Sequence, residues 1–249
     1  MDVNAYLKRI NYDGPRDVSP ETLRRLHLAN LQSVPFENLS IHNSEPIVLD
    51  DDALFAKIVA RRRGGFCYEA NGLFAALLRV LGFDVTMLSA EVARGGGQFS
   101  PPFDHMALLV KLDERWLADV GFGESFLEPL LLDTTNEQQQ GDESFRIVSE
   151  DPYRVLLGRK DNEWKQTYRF TLDAHEFGDY AARCRFHETS PESHFTQNRI
   201  CSRATPEGRI TLSGMRFITT TKHGREERLL ESAQEYEEIL RDQFGIVMS

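Results

Sequence analysis

An α+β chain is predicted, helical in its first third, antiparallel β in its middle, and closed by a short sheet and a helix. Three observations predict it. Apolar residues recur at helical spacing as far as Gly82, and short apolar runs between turn residues begin at His105. A last helical stretch follows at residues 232–244. A length of 249 residues is enough to bury a real core.

Each element has a local reason. Ser19-Pro20-Glu21 offers an N-cap and a proline at the first helical position, ahead of Leu23, Leu26, Leu28 and Leu31. Asp50-Asp51-Asp52 precedes Leu54, Phe55, Ile58 and Val59, which share a helical face. Leu73, Phe74, Leu77, Leu78 and Leu81 form a third helix, ended by Gly82. Residues 105–112 and 116–122 read as a hairpin about Asp113-Glu114-Arg115. Residues 145–148, 153–157 and 167–172 continue as strands of a small barrel or sandwich. Gln138-Gln139-Gln140 reads as a loop, residues 174–195 as a partly helical connector, and residues 209–221 as two strands around Ser213-Gly214.

Composition narrows the function. The formal net charge of -10 disfavours nucleic acid and anionic membranes, which need clustered Lys and Arg. Three cysteines with no CxxC pair argue against a disulfide scaffold or zinc site, and suit a reducing cytosol. The first ten residues lack a signal-peptide core, and no run approaches the ~20 apolar residues of a membrane span. The expectation is a cytoplasmic protein with no metal. His187-Glu188 lacks a second histidine at ligand spacing, and Val120-Gly121-Phe122-Gly123 is not a dinucleotide loop.

The segment Arg63-Gly64-Gly65-Phe66-Cys67-Tyr68-Glu69-Ala70-Asn71 carries the chemistry. Two glycines allow a close backbone approach, and a helix starts near Cys67. A thiol there meets the positive end of the helix dipole and free N–H groups. Its pKa can fall from about 8.5 to roughly 3.5–7.5. The N–H groups can also hold an oxyanion. The alternative is a small buried hydrophobe. A nucleophile needs a base and an orienting group. His105 opens a strand, and Asp119 sits in the next one between Ala118 and Val120, where a carboxylate costs free energy unless paired. Singly, each has an ordinary reading as a strand-end or turn residue. A simple hairpin sets Asp119 opposite residue 108 or 109, so meeting His105 calls for a bend or bulge. Asn71 shares the Cys67 helix face and can reach the carboxylate.

Together, the Cys67 segment, His105-Met106-Ala107-Leu108-Leu109-Val110 and Ala118-Asp119-Val120-Gly121-Phe122-Gly123 resemble the arylamine N-acetyltransferases. The likeness begins at Ala5-Tyr6-Leu7-Lys8-Arg9-Ile10, includes Val34-Pro35-Phe36-Glu37-Asn38-Leu39, and ends at Phe244-Gly245-Ile246-Val247. It implies an N-terminal helical bundle (1–85), a central antiparallel β-barrel (86–180), a connector (181–202) and a C-terminal α/β lid (203–249). It also implies a cysteine-protease-like Cys67-His105-Asp119 core. Phe36, Phe103 and Phe122 would line the substrate site, with Asn71 and a structural Glu37–Arg63 ion pair behind it. Acetyl-coenzyme A is the implied acyl donor, and an aromatic amine, hydrazine or N-hydroxyarylamine the acceptor, as in xenobiotic metabolism. Asp104 and Glu124 depart from the family pattern and bring acidic charge toward a cleft for a phosphorylated cofactor. A thiol hydrolase and an amide synthase that releases a polyketide chain are competing readings.

Overall fold

Capping chemistry sets the helical part. In the computed structural model, which describes residues 1–160 and 163–248, the first helix is α1 (Val3–Arg9). Its Asp2 cap accepts the Ala5 N–H at 3.0 Å. α2 (Pro20–Ser33) starts with Ser19 accepting the Thr22 N–H at 3.2 Å, with Pro20 in the first turn as its sequence suggests. Strand β1 (Phe36–Glu37) and helix α3 (Leu39–His42) lead to α4 (Asp51–Phe55). Asp50 caps α4 by accepting from Asp52 and Ala53 at 3.0 and 3.1 Å. A π turn over Ala56–Ala60 then buries Lys57. In α5 (Cys67–Val80), every residue from Cys67 to Leu78 is buried, so this helix runs through the core. Gly82 stops it with a φ of 99°, which glycine adopts without strain.

The antiparallel part is nearly a closed barrel. It comprises β2 (Asp84–Gly95), β3 (Gln98–Phe99), β4 (His105–Lys111), β5 (Arg115–Ala118) and β6 (Leu130–Leu131). β7 (Gln138–Gln140), β8 (Glu143–Glu150), β9 (Tyr153–Lys160) and β10 (Glu163–Phe170) complete it. The order is β6-β5-β4-β2-β10-β9-β8-β7, with β3 on the side of β2. Side chains span the seam between the end strands. The Gln138 amide exchanges hydrogen bonds with the Leu131 N–H and carbonyl at 2.7 and 3.0 Å, and Gln140 bonds the Leu127 and Glu128 backbones. The glutamine run expected as a loop is therefore a strand, because its side chains satisfy the opposite edge.

β4 separates two apolar cores, which explains its unbroken apolar run. Met106, Leu108 and Val110 face α5, while Ala107 and Leu109 face the barrel interior. β5 has the same parity, with Trp116 and Ala118 toward the helices and Leu117 toward the barrel. By that alternation His105 and Asp119 lie on the barrel side.

α6 (Phe177–Thr189) and α7 (His194–Gln197) connect the barrel to a second antiparallel sheet. α6 runs across the expected boundary at residue 180, because Asp179 accepts the Glu176 N–H at 3.0 Å and starts the helix earlier. The second sheet holds β11 (Ile200–Thr205), β12 (Gly208–Ser213), β13 (Arg216–Thr221) and β14 (Gly224–Leu229). Its order is β1-β11-β12-β13-β14, so the early Phe36–Glu37 strand anchors the late sheet. α8 (Ala233–Phe244), capped by Ser232, packs Tyr236, Leu240 and Phe244 with Ile210 and Leu212. No helix among the described residues is long and apolar enough to cross a membrane.

Candidate active site

The turn ahead of Cys67 requires its glycines. A Cβ on Gly64 would lie 2.0 Å from the Pro35 carbonyl oxygen, and one on Gly65 would lie 2.6 Å from the Glu69 Cβ. This close approach lets Glu37 donate its N–H to Gly65 O at 3.0 Å and Gly65 donate to Pro35 O at 3.2 Å. β1 thus lies against the start of α5 and carries Phe36 with it. Glu69 accepts the Phe66 N–H at 3.2 Å, which fixes the first turn. The Cys67 N–H has no acceptor among the described residues, as expected of a first helical residue.

Buried charges lie beneath this turn. Lys57 Nζ lies 2.7 Å from Glu69 Oε1, and Arg63 Nη2 lies 2.8 Å from Glu37 Oε1. Arg63 also reaches Glu45 at 3.3 Å, and Glu37 accepts the Leu39 N–H at 2.7 Å. Paired and hydrogen-bonded charges of this kind order the loop more than they stabilise the fold.

His105 Nε2 lies 2.7 Å from Asp119 Oδ2, with both side chains buried. Continuing the Leu108–Ala118 register sets Asp119 opposite Ala107, one diagonal step from His105 on the same face. No bulge is needed. Regular pairing stops at Ala118, and the next three N–H groups are taken by side chains. Asp119 N–H donates to His27 Nε2 at 3.0 Å, Val120 N–H to Asn71 Oδ1 at 2.8 Å, and Gly121 N–H to Asp119 Oδ1 at 2.9 Å. The Asn71 amide also donates to Asp119 Oδ1 at 2.9 Å and to the Met106 carbonyl at 2.6 Å. Gly121 crosses the start of α5 so closely that a Cβ there would lie 2.8 Å from the Cys67 Cα.

Electrostatics separates the three groups. Burial alone would raise the Asp119 carboxyl, but the His105 charge and hydrogen bond, the Asn71 amide and the Gly121 N–H together hold it below its ordinary value. Asp119 is therefore a carboxylate at neutral pH. Burial pushes the Cys67 thiol well above its ordinary value, against the Met106 backbone hydrogen bond, and the nearby Asp119 charge adds to the rise. Burial thus opposes the lowering that a helix start favours. A proton acceptor is needed, and with Nε2 turned to Asp119 the free imidazole nitrogen is Nδ1.

Cys67 and His105 open onto one cleft of about 700 Å³, which Phe36, Phe122, Phe186 and Phe195 also line. The His105 ring stands against Phe122 and Tyr168, each 5.2 Å away between centroids. Phe103 is not in the lining. Its N–H donates to Ser89 Oγ at 2.8 Å, its carbonyl accepts the Tyr68 hydroxyl at 2.6 Å, and its ring packs on His175 and Tyr180. Phe103 thus stands beside the cleft-lining Asp104 with its ring packed away from the lining. Asp104 does line the cleft, but its charge is compensated. Arg183 Nε donates to it at 2.6 Å, and His187 Nε2 lies 3.1 Å away. Glu124 faces a neighbouring pocket with Ser202 and Thr211.

Sequence reasoning missed His27, Tyr168, Arg183 and His187. The local pattern gives each a helix or strand but no role, because each meets the site only through tertiary packing. No group of three or more possible metal ligands occurs among the described residues.

A family model described as N-acetyltransferase matches residues 19–249. The chain is 35% identical over 248 residues to the arylamine N-acetyltransferase of Escherichia coli strain K12, covering 98% of this chain and 88% of that one. The solved structure of the Mycobacterium marinum arylamine N-acetyltransferase superposes with a TM-score of 0.92 at 34% identity, covering 98% of this chain and 93% of that one. The same enzyme in complex with coenzyme A gives a TM-score of 0.91 at 33% identity, again covering 98% and 93%.

Proposed function

We propose a reaction course that proceeds from one fact: this chain belongs to the arylamine N-acetyltransferase family. The reaction is transfer of acetyl from acetyl-coenzyme A to an aromatic amine. Cys67 carries the acetyl group between them, in a helical, barrel and lid arrangement with a cysteine-protease-like core. The observation that carries this reading is a buried His105–Asp119 pair at 2.7 Å whose histidine shares a cleft with a cysteine at the start of a helix.

In the first half, His105 Nδ1 takes the thiol proton as the Cys67 sulfur attacks the thioester carbonyl. The Cys67 N–H meets the oxyanion. The carbon–sulfur bond to coenzyme A breaks, and the departing sulfur takes the proton from His105. In the second half, the amine nitrogen attacks the acetyl-cysteine and His105 accepts its proton. The Cys67 sulfur leaves and is reprotonated. Asp119 holds the imidazole so that Nδ1 is the base. Phe36 and Phe122 form the acceptor slot. Arg94, on the wall of the cleft, offers positive charge to the cofactor's phosphates.

This course has a kinetic signature. Initial rates measured against both substrates will give parallel double-reciprocal lines. Intersecting lines would mean that both substrates bind before any chemistry, and would exclude a free acetyl-enzyme. A thiol hydrolase would release acetate at the same rate with or without the amine.

A further inference from the structure

His27 lies in the middle of α2, far along the chain from the cleft, and is fully buried. Its ring is stacked on Phe126 at 5.7 Å and meets Phe74 edge-on at 6.1 Å. Nε2 faces the Asp119 N–H at 3.0 Å, and Nδ1 faces the Leu127 carbonyl at 2.8 Å. An amide N–H can only donate and a carbonyl can only accept. One protonation state satisfies both, the neutral ring with its proton on Nδ1. A second proton would set Nε2–H against the Asp119 N–H. Burial agrees, holding the His27 pKa down at about 4 against the opposing pull of the Leu127 carbonyl and the Asp119 charge.

Residues 119–129 form the loop between β5 and β6. It begins with the carboxylate that meets His105 and carries Phe122 on the cleft wall. His27 ties that loop to α2 at Asp119, its first residue, and at Leu127. Where the β5 ladder ends, it takes the N–H that would otherwise be left without a partner.

We propose that His27 is a positioning residue for acetyl transfer, a neutral imidazole bridge that sets the Asp119 carboxylate and the Phe122 wall relative to His105. The proposal rests on the thioester course above. A ring that only filled space would be replaceable by leucine, whereas the bridge needs one donor and one acceptor. A shift of the order of an ångström in the orienting group costs on the order of 10²-fold in rate.

The test is single-turnover acetylation of Cys67 by acetyl-coenzyme A in the full chain, comparing wild type, His27→Leu and His27→Gln. The expected result is acetylation slowed on the order of 10²-fold in the leucine variant. Its half-saturating acetyl-coenzyme A concentration stays unchanged, and glutamine restores most of the rate. A folded leucine variant that acetylates at the wild-type rate overturns the proposal, as does a glutamine variant no faster than leucine. If the leucine variant does not fold, the nitrogen-15 spectrum of wild-type His27 decides. A neutral ring protonated on Nδ1 supports the bridge, and a proton on Nε2 overturns it. A wild-type protein that never acetylates Cys67 sinks the thioester course instead, while the spectrum still judges the bridge.

Discussion

Cys67→Ala will fold, bind acetyl-coenzyme A and transfer nothing. The substitution removes one sulfur from a side chain that is 3% exposed, and α5 keeps its Glu69 cap and its buried apolar residues. The lost turnover should be on the order of 10⁶-fold, the scale at which a nucleophile removed from a cooperating trio takes the whole trio with it. Cys184 and Cys201 serve as internal controls. Both are buried, and burial pushes their thiols up, Cys184 to about 12. Neither lines the cleft. Cys184→Ala and Cys201→Ala should therefore keep turnover and selective alkylation of Cys67. Steady-state rates on the three variants separate the cysteines, and full turnover in Cys67→Ala ends the thioester account.

Asp119→Asn should keep the fold and lose about 10⁴-fold in rate, through the imidazole tautomer. Asp119 Oδ1 accepts from Asn71 and Gly121, and an asparagine carbonyl can keep both bonds. Its amide then points its N–H toward His105 Nε2, which must become an acceptor. The neutral ring carries its proton on Nδ1, where a base is required. The loss should appear in kcat and in kcat/KM alike, because the lost interaction belongs to the transition state. Thermal unfolding run beside the kinetics will separate misfolding from mispositioning. A folded variant with near-normal turnover would remove Asp119 from the orienting role.

Local chemistry was legible in the sequence, and long-range chemistry was not. Ser19-Pro20 and Gly82 mark helix ends through their own side chains and backbone freedom, and the observed boundaries fall there. The apolar run from Met106 to Val110 reads as a strand, and in the fold both of its faces are buried. Glu37 and Arg63, expected to pair from the resemblance, lie in contact at 2.8 Å. The geometry between His105 and Asp119 was half legible. Period-two parity sets them on one face, but the end of the β5 ladder depends on His27, 92 residues away in the chain. The surroundings of Phe103 were not legible for the same reason. Its φ of 63° and its bonds to Ser89 and Tyr68 turn it away from the cleft, and none of these contacts is local. The glutamine run has strand-poor composition, yet it forms a strand because its amides answer a barrel edge.

The ionisation state of Cys67 shows how burial competes with a helix dipole. A dipole at a helix start favours the thiolate by typically 0.3–1 kcal/mol, and up to ~2 kcal/mol when partly buried. Desolvation of the buried sulfur opposes it here. The consequence for function is direct. The reactivity of the thiol depends on His105 being held with Nδ1 free to take its proton.

The central claim is that one sulfur, that of Cys67, carries the acyl group. The most direct measurement is the intact mass of the wild-type protein after acetyl-coenzyme A is added without an amine, followed by peptide mapping. One added acetyl group is expected, on the peptide containing Cys67, and it is discharged when an aromatic amine is supplied. Acetyl found on Cys184 or Cys201, or an unmodified protein that still acetylates the amine, would contradict it.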